Sequence, residues 1–477
     1  MRAINCKTEY MTNPIGIDTE SELLSWNCEG GEFQTAYRIE ALCDEEAFFD
    51  TGKIISDKMC YLTEKKLKSR NAVSWRICLW DENDECGEWS GYNTFEMGLL
   101  QPEDWQGAAW ISHETGITPE DSENFDDEIN RLAKKAFEEK KKEESEKYLP
   151  HLPAGYLRKS FEISGVKENT RLYISAKGLY EAYINGVKVG KEVLTPGSSN
   201  YNFEIKYQTY DVTKLLKSGE NDIEIIIGDG WYRSTSGVDG DRNLYGDTIS
   251  VIARLEAEGE SVLVTDASWE ACTSGPTMQN DMEQGEVYDA GREDYREKSE
   301  LWYPAHVLGT DYNLLKAGNM VPVTENETFT GKLITTPNGE RVIDFGQNLA
   351  GYVEFTLTGE AGKTVTLLHG ETLDENGNFT QENFEDRARH KEGGVYQMVH
   401  YTCKSGENHY KPKFTVMGFR YVKVITELKL EGAAFTANAV YSKMDKTADF
   451  TCENALVNSL VKNALWSQKG NFLDIPT

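Results

Sequence analysis

The sequence predicts a mainly β protein that consists of three consecutive β-sandwich domains and the first helix of a helical domain. Two observations lead to this prediction. Short segments that alternate apolar and polar residues recur from residue 35 to about residue 440, and turn signals such as Asn-Gly separate them. Only residues 454–468 and one acidic stretch before residue 150 show the 3.6-residue period of an amphipathic helix.

The composition limits the classes of partner. The 477 residues suffice for three or four domains, and 80 Asp and Glu against 50 Lys and Arg give a formal net charge of −30. Such a surface repels phosphate groups, which excludes nucleic acids and anionic membranes as favourable partners. The 10 Trp and 24 Tyr suit neutral hydroxylated ligands such as sugars, although aromatic side chains also fill sandwich cores.

The sequence predicts a cytoplasmic protein without a membrane span. No apolar run approaches the roughly 18 residues that cross a bilayer, and the N-terminus lacks the apolar segment of a secretory signal. The nine cysteines include no C-x-x-C pair, so we expect free thiols in a reducing compartment.

Residues 1–100 are predicted to form a small sandwich of the fibronectin or immunoglobulin type. Segments 35–40 and 74–80 each place apolar residues on one face, and turn residues follow them. Residues 101–155 are predicted to be a linker with an inserted, charged amphipathic helix. Its apolar stripe consists of Ile129, Leu132, Ala133, Ala136 and Phe137. We interpret this helix as a solvated surface element rather than a docking site.

Two larger sandwiches are predicted next, a jelly-roll domain over residues 156–290 and a second large sandwich over residues 291–445. Asn-Gly pairs at Asn185-Gly186, Asn338-Gly339 and Asn376-Gly377 predict hairpin turns, because both residue types tolerate positive φ. The apolar run 221–228 predicts a buried central strand.

Residues 446–477 are predicted to begin a helical domain. The apolar stripe of this predicted helix comprises Leu456, Leu460, Val461, Ala464 and Leu465. We expect its leucines to pack on the preceding sandwich or on a partner chain.

No catalytic residues are predicted from motifs. The sequence has no G-x-S-x-G elbow, phosphate-binding loop or H-E-x-x-H motif, and its seven histidines lack metal-ligand spacing. With 80 acidic residues, a catalytic carboxylate pair cannot be identified by spacing.

One region is predicted to bind a ligand, and it consists of the segments 195–202, 228–233 and 237–247. The predicted sugar contacts are Asn200, Asn202, Trp231, Tyr232, Arg242 and Asn243. Carboxylates at short spacing can hold a hard cation such as Ca²⁺, and the predicted ligands are Asp239, Asp241 and Asp247. In the alternative interpretation, Gly and Asp only form tight turns and Trp231 fills the core.

Several motifs resemble bacterial α-L-rhamnosidases of glycoside hydrolase family 78. The motifs similar to the family's N-terminal sandwich are 178–186 (GLYEAYING), 193–197 (VLTPG), 207–213 (YQTYDVT), 228–233 (GDGWYR) and 242–247 (RNLYGD). Those similar to its second large β-domain are 344–351 (DFGQNLAG) and 414–422 (FTVMGFRYV), and 466–477 (WSQKGNFLDIPT) resembles the opening of its catalytic (α/α)6 barrel. The acidic segment 113–150 departs from the family pattern and resembles an insertion.

The resemblance implies an inverting glycosidase that releases terminal α-L-rhamnose from glycosides. Two carboxyl groups roughly 6.5–9.5 Å apart serve as general acid and general base in such enzymes. In the family these groups follow the Ile-Pro-Thr motif, so we expect that residues 1–477 alone do not hydrolyse rhamnosides. The resemblance also implies a calcium-dependent rhamnose-binding first large sandwich. Near its ligand turn, Ser198-Ser199-Asn200 lacks a Trp that family members commonly carry.

Three functions remain open from the sequence. The chain is the accessory and carbohydrate-binding portion of an α-L-rhamnosidase, a stand-alone binding protein for rhamnose-containing glycans, or a scaffold for a separately encoded barrel. The expected ligands are L-rhamnose-containing glycosides, and the expected protein partner at the C-terminal helix is a catalytic barrel or a second copy of the chain.

Overall fold

The computed structural model describes residues 1–19, 21–114, 152–235, 242–318, 321–384 and 397–476, and it confirms the predicted mainly β fold class. The helix predicted around Ile129–Phe137 lies outside the described residues. All nine cysteines lie within the described ranges and are free thiols.

The first domain is a sandwich of two sheets. Its strands are β1 Arg2–Thr8, β2 Ile15–Ile17, β3 Leu23–Glu29, β4 Ala36–Cys43, β5 Glu46–Asp50, β6 Ile54–Ile55, β7 Cys60–Leu62, β8 Ala72–Trp80 and β9 Asn93–Met97. One sheet has the order β1-β3-β7 and the other β2-β9-β8-β4-β5, with β6 paired to β4. The alternation in β8 buries Val73, Trp75 and Ile77 in the core between the sheets, where Trp26 and Ile39 meet them.

The second sandwich packs a seven-stranded sheet on a six-stranded sheet. Its strands are β10 Trp110–Ser112, β11 Gly155–Ile163, β12 Arg171–Lys177, β13 Leu179–Ile184, β14 Val187–Lys188, β15 Ile205–Asp211, β16 Gly219–Gly228, β17 Ser250–Ala257, β18 Glu260–Val264, β19 Glu270–Cys272, β22 Tyr303–Pro304, β23 His306–Gly309 and β24 Leu315–Ala317. The sheet orders are β23-β10-β17-β12-β15-β24, with β18 on β17, and β14-β13-β16-β11-β19-β22. Strand β16 is the predicted buried strand, and it directs Ile223, Ile225 and Ile227 into the core between these sheets.

The third sandwich is built on one ten-stranded sheet that curls on itself. Its strands are β20 Thr277–Asp281, β21 Gly285–Asp289, β25 Val323–Thr330, β26 Lys332–Thr335, β27 Arg341–Gly359, β28 Thr364–Gly370, β29 Met398–Thr402, β30 Gly406–Tyr410, β31 Met417–Ile425 and β32 Ala434–Ser442. The order is β20-β21-β29-β28-β31-β27-β32-β25, and β26 and β30 both pair with β27. Phe355, Tyr401 and Phe419 are fully buried in its core.

The chain crosses between the two large sandwiches on either side of residue 290. Strands β20 and β21 belong to the third sandwich, because β21 pairs in parallel with β29. The chain then returns to the second sandwich, where β24 pairs in parallel with β15. Residue 290 therefore lies between two crossings, and the division between the sheets does not fall at one point in the sequence.

The predicted C-terminal helix is present, but its leucine stripe does not pack on the sandwich. Helix α2, Ala455–Asn471, begins at Asn454, whose side chain accepts hydrogen bonds from two backbone N–H groups of the first turn. Leu456, Leu460 and Leu465 are 81 %, 67 % and 43 % exposed. Trp466 contacts the third sandwich instead, with its ring 5.5 Å from that of Phe329. The expected contact of the leucines with the preceding sandwich is therefore wrong.

The remaining elements are short. They are helix α1 Gly230–Arg233, the hairpin strands β33 Phe472–Leu473 and β34 Ile475–Pro476, and the 3-10 helices Pro102–Trp105, Thr213–Leu215, Ala290–Glu297, Ser299–Leu301 and Glu382–Phe384. In the part of the chain that the structure describes, no helix combines the length and the apolar character that a membrane crossing requires.

Candidate carbohydrate-binding site

Three tyrosines bring the predicted ligand segments together at one end of the second sandwich. The ring of Tyr201 lies 5.0 Å from Tyr232, which belongs to α1, and 5.0 Å from Tyr245. Burial raises the pKa of the Tyr201 and Tyr232 hydroxyls, so both stay neutral. Neither Tyr201 nor Tyr245 is among the predicted contacts, yet they join the segments. The sequence feature that could have identified them is the presence of a tyrosine in each of the three predicted ligand segments.

Exposed amides and apolar side chains flank this tyrosine cluster. Asn200 and Asn202 are both exposed, and the backbone N–H of Asn202 donates to Asn200 Oδ1 at 3.3 Å. Phe203 is 77 % exposed and Leu244 is 58 % exposed, and both were missed from the sequence. Amide groups can hydrogen-bond sugar hydroxyls while an exposed ring covers an apolar sugar face. This surface therefore has the chemistry of a site for a neutral carbohydrate.

Trp231 and Asn243 have structural contacts. Trp231 is half-buried and packs against two buried clusters. One contains Tyr156 of the second sandwich and Phe414 of the third, and the other contains Tyr201. This position matches the alternative interpretation, in which Trp231 fills the core. Asn243 has a φ of +61° and donates its backbone N–H to the Arg233 carbonyl at 3.1 Å, which links its loop to α1.

Arg242 lies in a buried charge cluster rather than on the surface. Its guanidinium donates to Asp229 Oδ2 at 3.1 Å and lies 3.7 Å from Asp281 Oδ2. Arg233 donates to the other oxygen of Asp229 through Nε at 2.9 Å and through Nη2 at 2.7 Å, and it also contacts Glu114. These bonds anchor the loop that contains Asn243 and Leu244, so Arg242 contributes to the site through the position of its neighbours.

The electrostatics of this cluster follow from burial. Burial raises the pKa of the Asp229 carboxyl, although the charges of Arg233 and Arg242 oppose this. For Glu114, burial acts to raise the pKa, but the nearby charges of Arg233 and His113 outweigh this effect, so the pKa of Glu114 is lowered overall. Two arginines thus compensate a group of carboxylates that is closed to solvent.

The predicted calcium ligands are not assembled within the described residues. Asp239 and Asp241 lie outside them. Asp247 is exposed, and its Oδ1 accepts a hydrogen bond from the Thr248 hydroxyl at 2.9 Å. Across the described ranges, no three His, Cys, Asp or Glu side chains are grouped so that they could hold a metal ion. The described residues alone therefore do not provide a cluster of three carboxylates for calcium.

The turn 195–199, which is part of the predicted ligand segment 195–202, contacts a carboxylate of the same chain. Asp474 Oδ2 accepts a hydrogen bond from the Ser198 backbone N–H at 2.8 Å and another from Lys206 Nζ at 2.8 Å. This contact joins residues more than 260 positions apart, and local sequence patterns carry no signal for it. The exposed part of the segment begins at Asn200.

Models of four consecutive rhamnosidase domains match the chain in order. They are the Rha78A-like N-terminal immunoglobulin domain at residues 3–101, the alpha-L-rhamnosidase N-terminal domain at 166–327, the bacterial alpha-L-rhamnosidase concanavalin-like domain at 334–441 and the 6 hairpin glycosidase domain at 445–477.

Relatives match over almost the whole chain. An alpha-L-rhamnosidase of Formosa agariphila is 29 % identical over 98 % of this chain and 50 % of its own length. One from Alteromonas sp. is 31 % identical over the same shares. The crystal structure of an Aspergillus terreus α-L-rhamnosidase superposes with a TM-score of 0.83 at 29 % identity, covering 100 % of this chain and 53 % of that one.

These matches define both the family and the extent of the match. The chain spans about half the length of the curated relatives that it matches. The domain models follow the order of the sandwiches described above, and the matched structure covers all of this chain. The chain belongs to the bacterial α-L-rhamnosidase family, of which it carries the N-terminal portion.

Proposed function

We propose that this chain is the accessory and carbohydrate-binding portion of an α-L-rhamnosidase, an inverting glycoside hydrolase that releases terminal α-L-rhamnose from rhamnose-containing glycosides. The observation that carries the proposal is the consecutive match of four rhamnosidase domains along the chain. A Streptomyces avermitilis rhamnosidase with the same fold has been crystallised with L-rhamnose, which supports this choice of sugar. The free thiols support a cytoplasmic location.

The site proposed for L-rhamnose is the surface around Tyr232 and Tyr245. Asn200 and Asn202 provide hydrogen-bonding groups, and Phe203 provides an exposed ring on the same turn. L-Rhamnose carries a methyl group where many hexoses carry a hydroxymethyl group, so apolar contact favours it over them. Calcium is proposed as a further component, since two predicted ligands lie in the neighbouring segment 236–241.

Titration calorimetry tests the proposed site. We expect L-rhamnose at millimolar concentration to produce saturable heat, and the Asn200→Ala/Asn202→Ala double variant to weaken binding at least about tenfold. Asn376→Ala, which changes an exposed asparagine of the third sandwich, is the matched control and should bind as the wild type does. Absence of heat with and without Ca²⁺ contradicts the binding proposal. Equal binding before and after EDTA contradicts the calcium component alone.

A stand-alone glycan-binding protein is the second candidate function. It is favoured by the tyrosine surface, because its three rings all belong to the second sandwich. The two functions differ in hydrolysis. We expect the 477-residue chain to bind p-nitrophenyl α-L-rhamnoside without releasing nitrophenol. Release occurring only after addition of a 6-hairpin domain from a rhamnosidase would favour the enzyme, whereas binding without any such complementation would favour the stand-alone protein.

The leucine face of α2 is proposed to contact further helices of a 6-hairpin glycosidase domain. It lies within the segment that matches that domain model. A second copy of the chain is the alternative occupant. Light scattering coupled to size exclusion distinguishes them: a dimer that Leu456→Glu/Leu460→Glu dissociates would favour the second copy, and a wild-type monomer would favour the helical domain.

A further inference from the structure

The turn around Gly197 is shaped to receive a carboxylate. The Ser198 backbone N–H and the positively charged ammonium of buried Lys206 each donate a hydrogen bond to Asp474 Oδ2 at 2.8 Å. Gly197 has a φ of +99°, and a Cβ there would lie 2.8 Å from the same oxygen. Only glycine therefore permits this close approach. These features make a built site with one cation, one N–H donor and space for one carboxylate.

The carboxylate in this site lies in the hairpin that follows helix α2. Asp474 is buried and has a left-handed φ of +74°, which is unfavourable for a residue other than glycine. Its backbone N–H donates to Ser442 Oγ at 3.2 Å, and Ser442 is the last residue of β32 in the third sandwich. A strained backbone persists where surrounding contacts determine it. The contacts around Asp474 are therefore strong enough to set the path of the chain between β33 and β34.

We propose that Lys206 and the Ser198 N–H form a monocarboxylate-binding site whose resident ligand is Asp474, and that this contact orients the segment leading out of α2. A buried ion pair contributes little net stability, because desolvation offsets the attraction, so we expect this pair mainly to fix the geometry of the chain. This inference rests on the proposed function, in which Asp474 and Lys206 are positioning residues of the rhamnosidase. They connect the sugar-binding sandwich to the segment that matches the glycosidase domain.

Chemical rescue tests this site in the full 477-residue chain. Asp474→Gly removes a side chain equivalent to acetate and tolerates the positive φ. We expect amide hydrogen exchange at residues 197–199 and 472–475 to accelerate about tenfold in this variant, and sodium acetate to slow it again relative to equal sodium chloride. Lys206→Met should accelerate the same amides, and acetate should not rescue it. Asp474→Glu should be partly protected, because it retains the carboxylate.

Matched variants make each outcome decisive. Asp449→Gly removes an exposed aspartate of the same region, which pairs with exposed Lys446, and it should leave residues 197–199 unchanged. If Asp474→Gly does not fold, Asp474→Asn provides the same test of the charge. Wild-type exchange in both Lys206→Met and Asp474→Asn, or equal acetate effects in Asp474→Gly and Lys206→Met, would overturn the proposal. Because no sugar is present, failure here is independent of rhamnose binding.

Discussion

At the residue scale, the buried charges of the second sandwich have the clearest consequences. Arg233 is completely buried, and burial lowers its pKa, but the charges of Asp229 and Glu114 outweigh this and raise it. Arg233 Nη1 also donates to the Asp247 carbonyl at 2.9 Å. A single guanidinium thus ties α1 to the loop that carries Asn243, and the shape of the proposed sugar site depends on it.

Substitution Arg233→Met should therefore destabilise the second sandwich by about 3–5 kcal/mol, because Asp229 and Glu114 would lose a cation while they stay buried. Urea denaturation monitored by tryptophan fluorescence measures this change. Lys446→Met, which removes an exposed ion pair with Asp449, should cost at most about 1 kcal/mol. Similar losses in the two variants would contradict this account.

A second buried residue, His369, makes the third sandwich sensitive to acid. Its Nδ1–H donates to the Gln397 carbonyl at 2.8 Å, its Nε2 has no hydrogen-bond partner among the residues that the structure describes, and its ring lies 4.8 Å from that of Phe419. Burial lowers the pKa of His369 to about 4. The folded state therefore keeps the imidazole neutral at pH values at which the unfolded chain binds a proton.

The sign of the pH effect follows from this lowered pKa. The contribution of neutral His369 is fully present above its unfolded pKa of about 6.5 and is lost as the pH falls toward 4, by up to about 3 kcal/mol. We expect His369→Gln to flatten the acid limb of a melting-temperature profile between pH 7 and pH 4. His306→Gln, at a less buried histidine, should retain the wild-type slope. An unchanged slope in His369→Gln would contradict the prediction.

At the element scale, the turn between β13 and β14 shows how local chemistry sets register. Asn185 and Gly186 have φ values of +50° and +78°, as the predicted Asn-Gly hairpin requires, and Ile184 pairs with Val187 across the turn. The side-chain amide of Asn185 also donates to the Leu215 carbonyl at 2.9 Å. This turn was predictable because both of its determinants are adjacent in sequence.

Replacing Gly186 by alanine isolates the backbone contribution of this turn. Apart from its two chain neighbours, no described residue places an atom within 4 Å of a Cβ at Gly186, so the cost is conformational strain without a steric clash. We expect a loss of about 1 kcal/mol in the free energy of unfolding, measured from the urea midpoint. Gly165→Ala is the matched control, because its Cβ also enters open space and its φ is not positive. It should differ from the wild type by less than about 0.5 kcal/mol.

At the scale of the whole molecule, the two large sandwiches behave as one packed unit. Tyr156 and Leu194 from the second sandwich share a buried cluster with Tyr352, Phe414 and Val440 from the third. The chain also crosses between their sheets around residue 290. A common core and three crossings (β19 to β20, β21 to β22 and β24 to β25) make separate unfolding of either sandwich costly, because each would expose apolar surface of the other.

Sequence patterns predicted the parts of this molecule that depend on neighbouring residues. The strand alternation, the Asn185-Gly186 turn and helix α2 follow from short-range periodicity. The contacts of that helix and the environment of Arg242 were not predictable, because they depend on partners distant in sequence. The same holds for the carboxylate in the turn 195–199, which comes from Asp474. A composition of Asn, Gly and Tyr indicated a ligand surface but could not separate exposed residues from buried ones.

One ion pair across the interface provides a test of this coupling. Lys413 Nζ of the third sandwich lies 2.6 Å from Glu181 Oε2 of the second and 2.8 Å from the Tyr183 hydroxyl. Burial raises the pKa of Glu181, but Lys413 and Lys188 outweigh it and hold the pKa at about 2. The carboxylate is therefore charged at neutral pH and joins cations from both sandwiches.

Lys413→Met should lower the free energy of unfolding by about 2 kcal/mol, because the interface loses its charged hydrogen bonds. In scanning calorimetry, the single transition of the two sandwiches should broaden or split. Lys188→Met is the matched control. Lys188 pairs with the same carboxylate at 2.7 Å, but it belongs to the second sandwich itself. Its loss should lower the transition temperature and leave the transition undivided. Splitting in Lys188→Met as well, or in neither variant, would mean that Glu181 does not couple the two sandwiches.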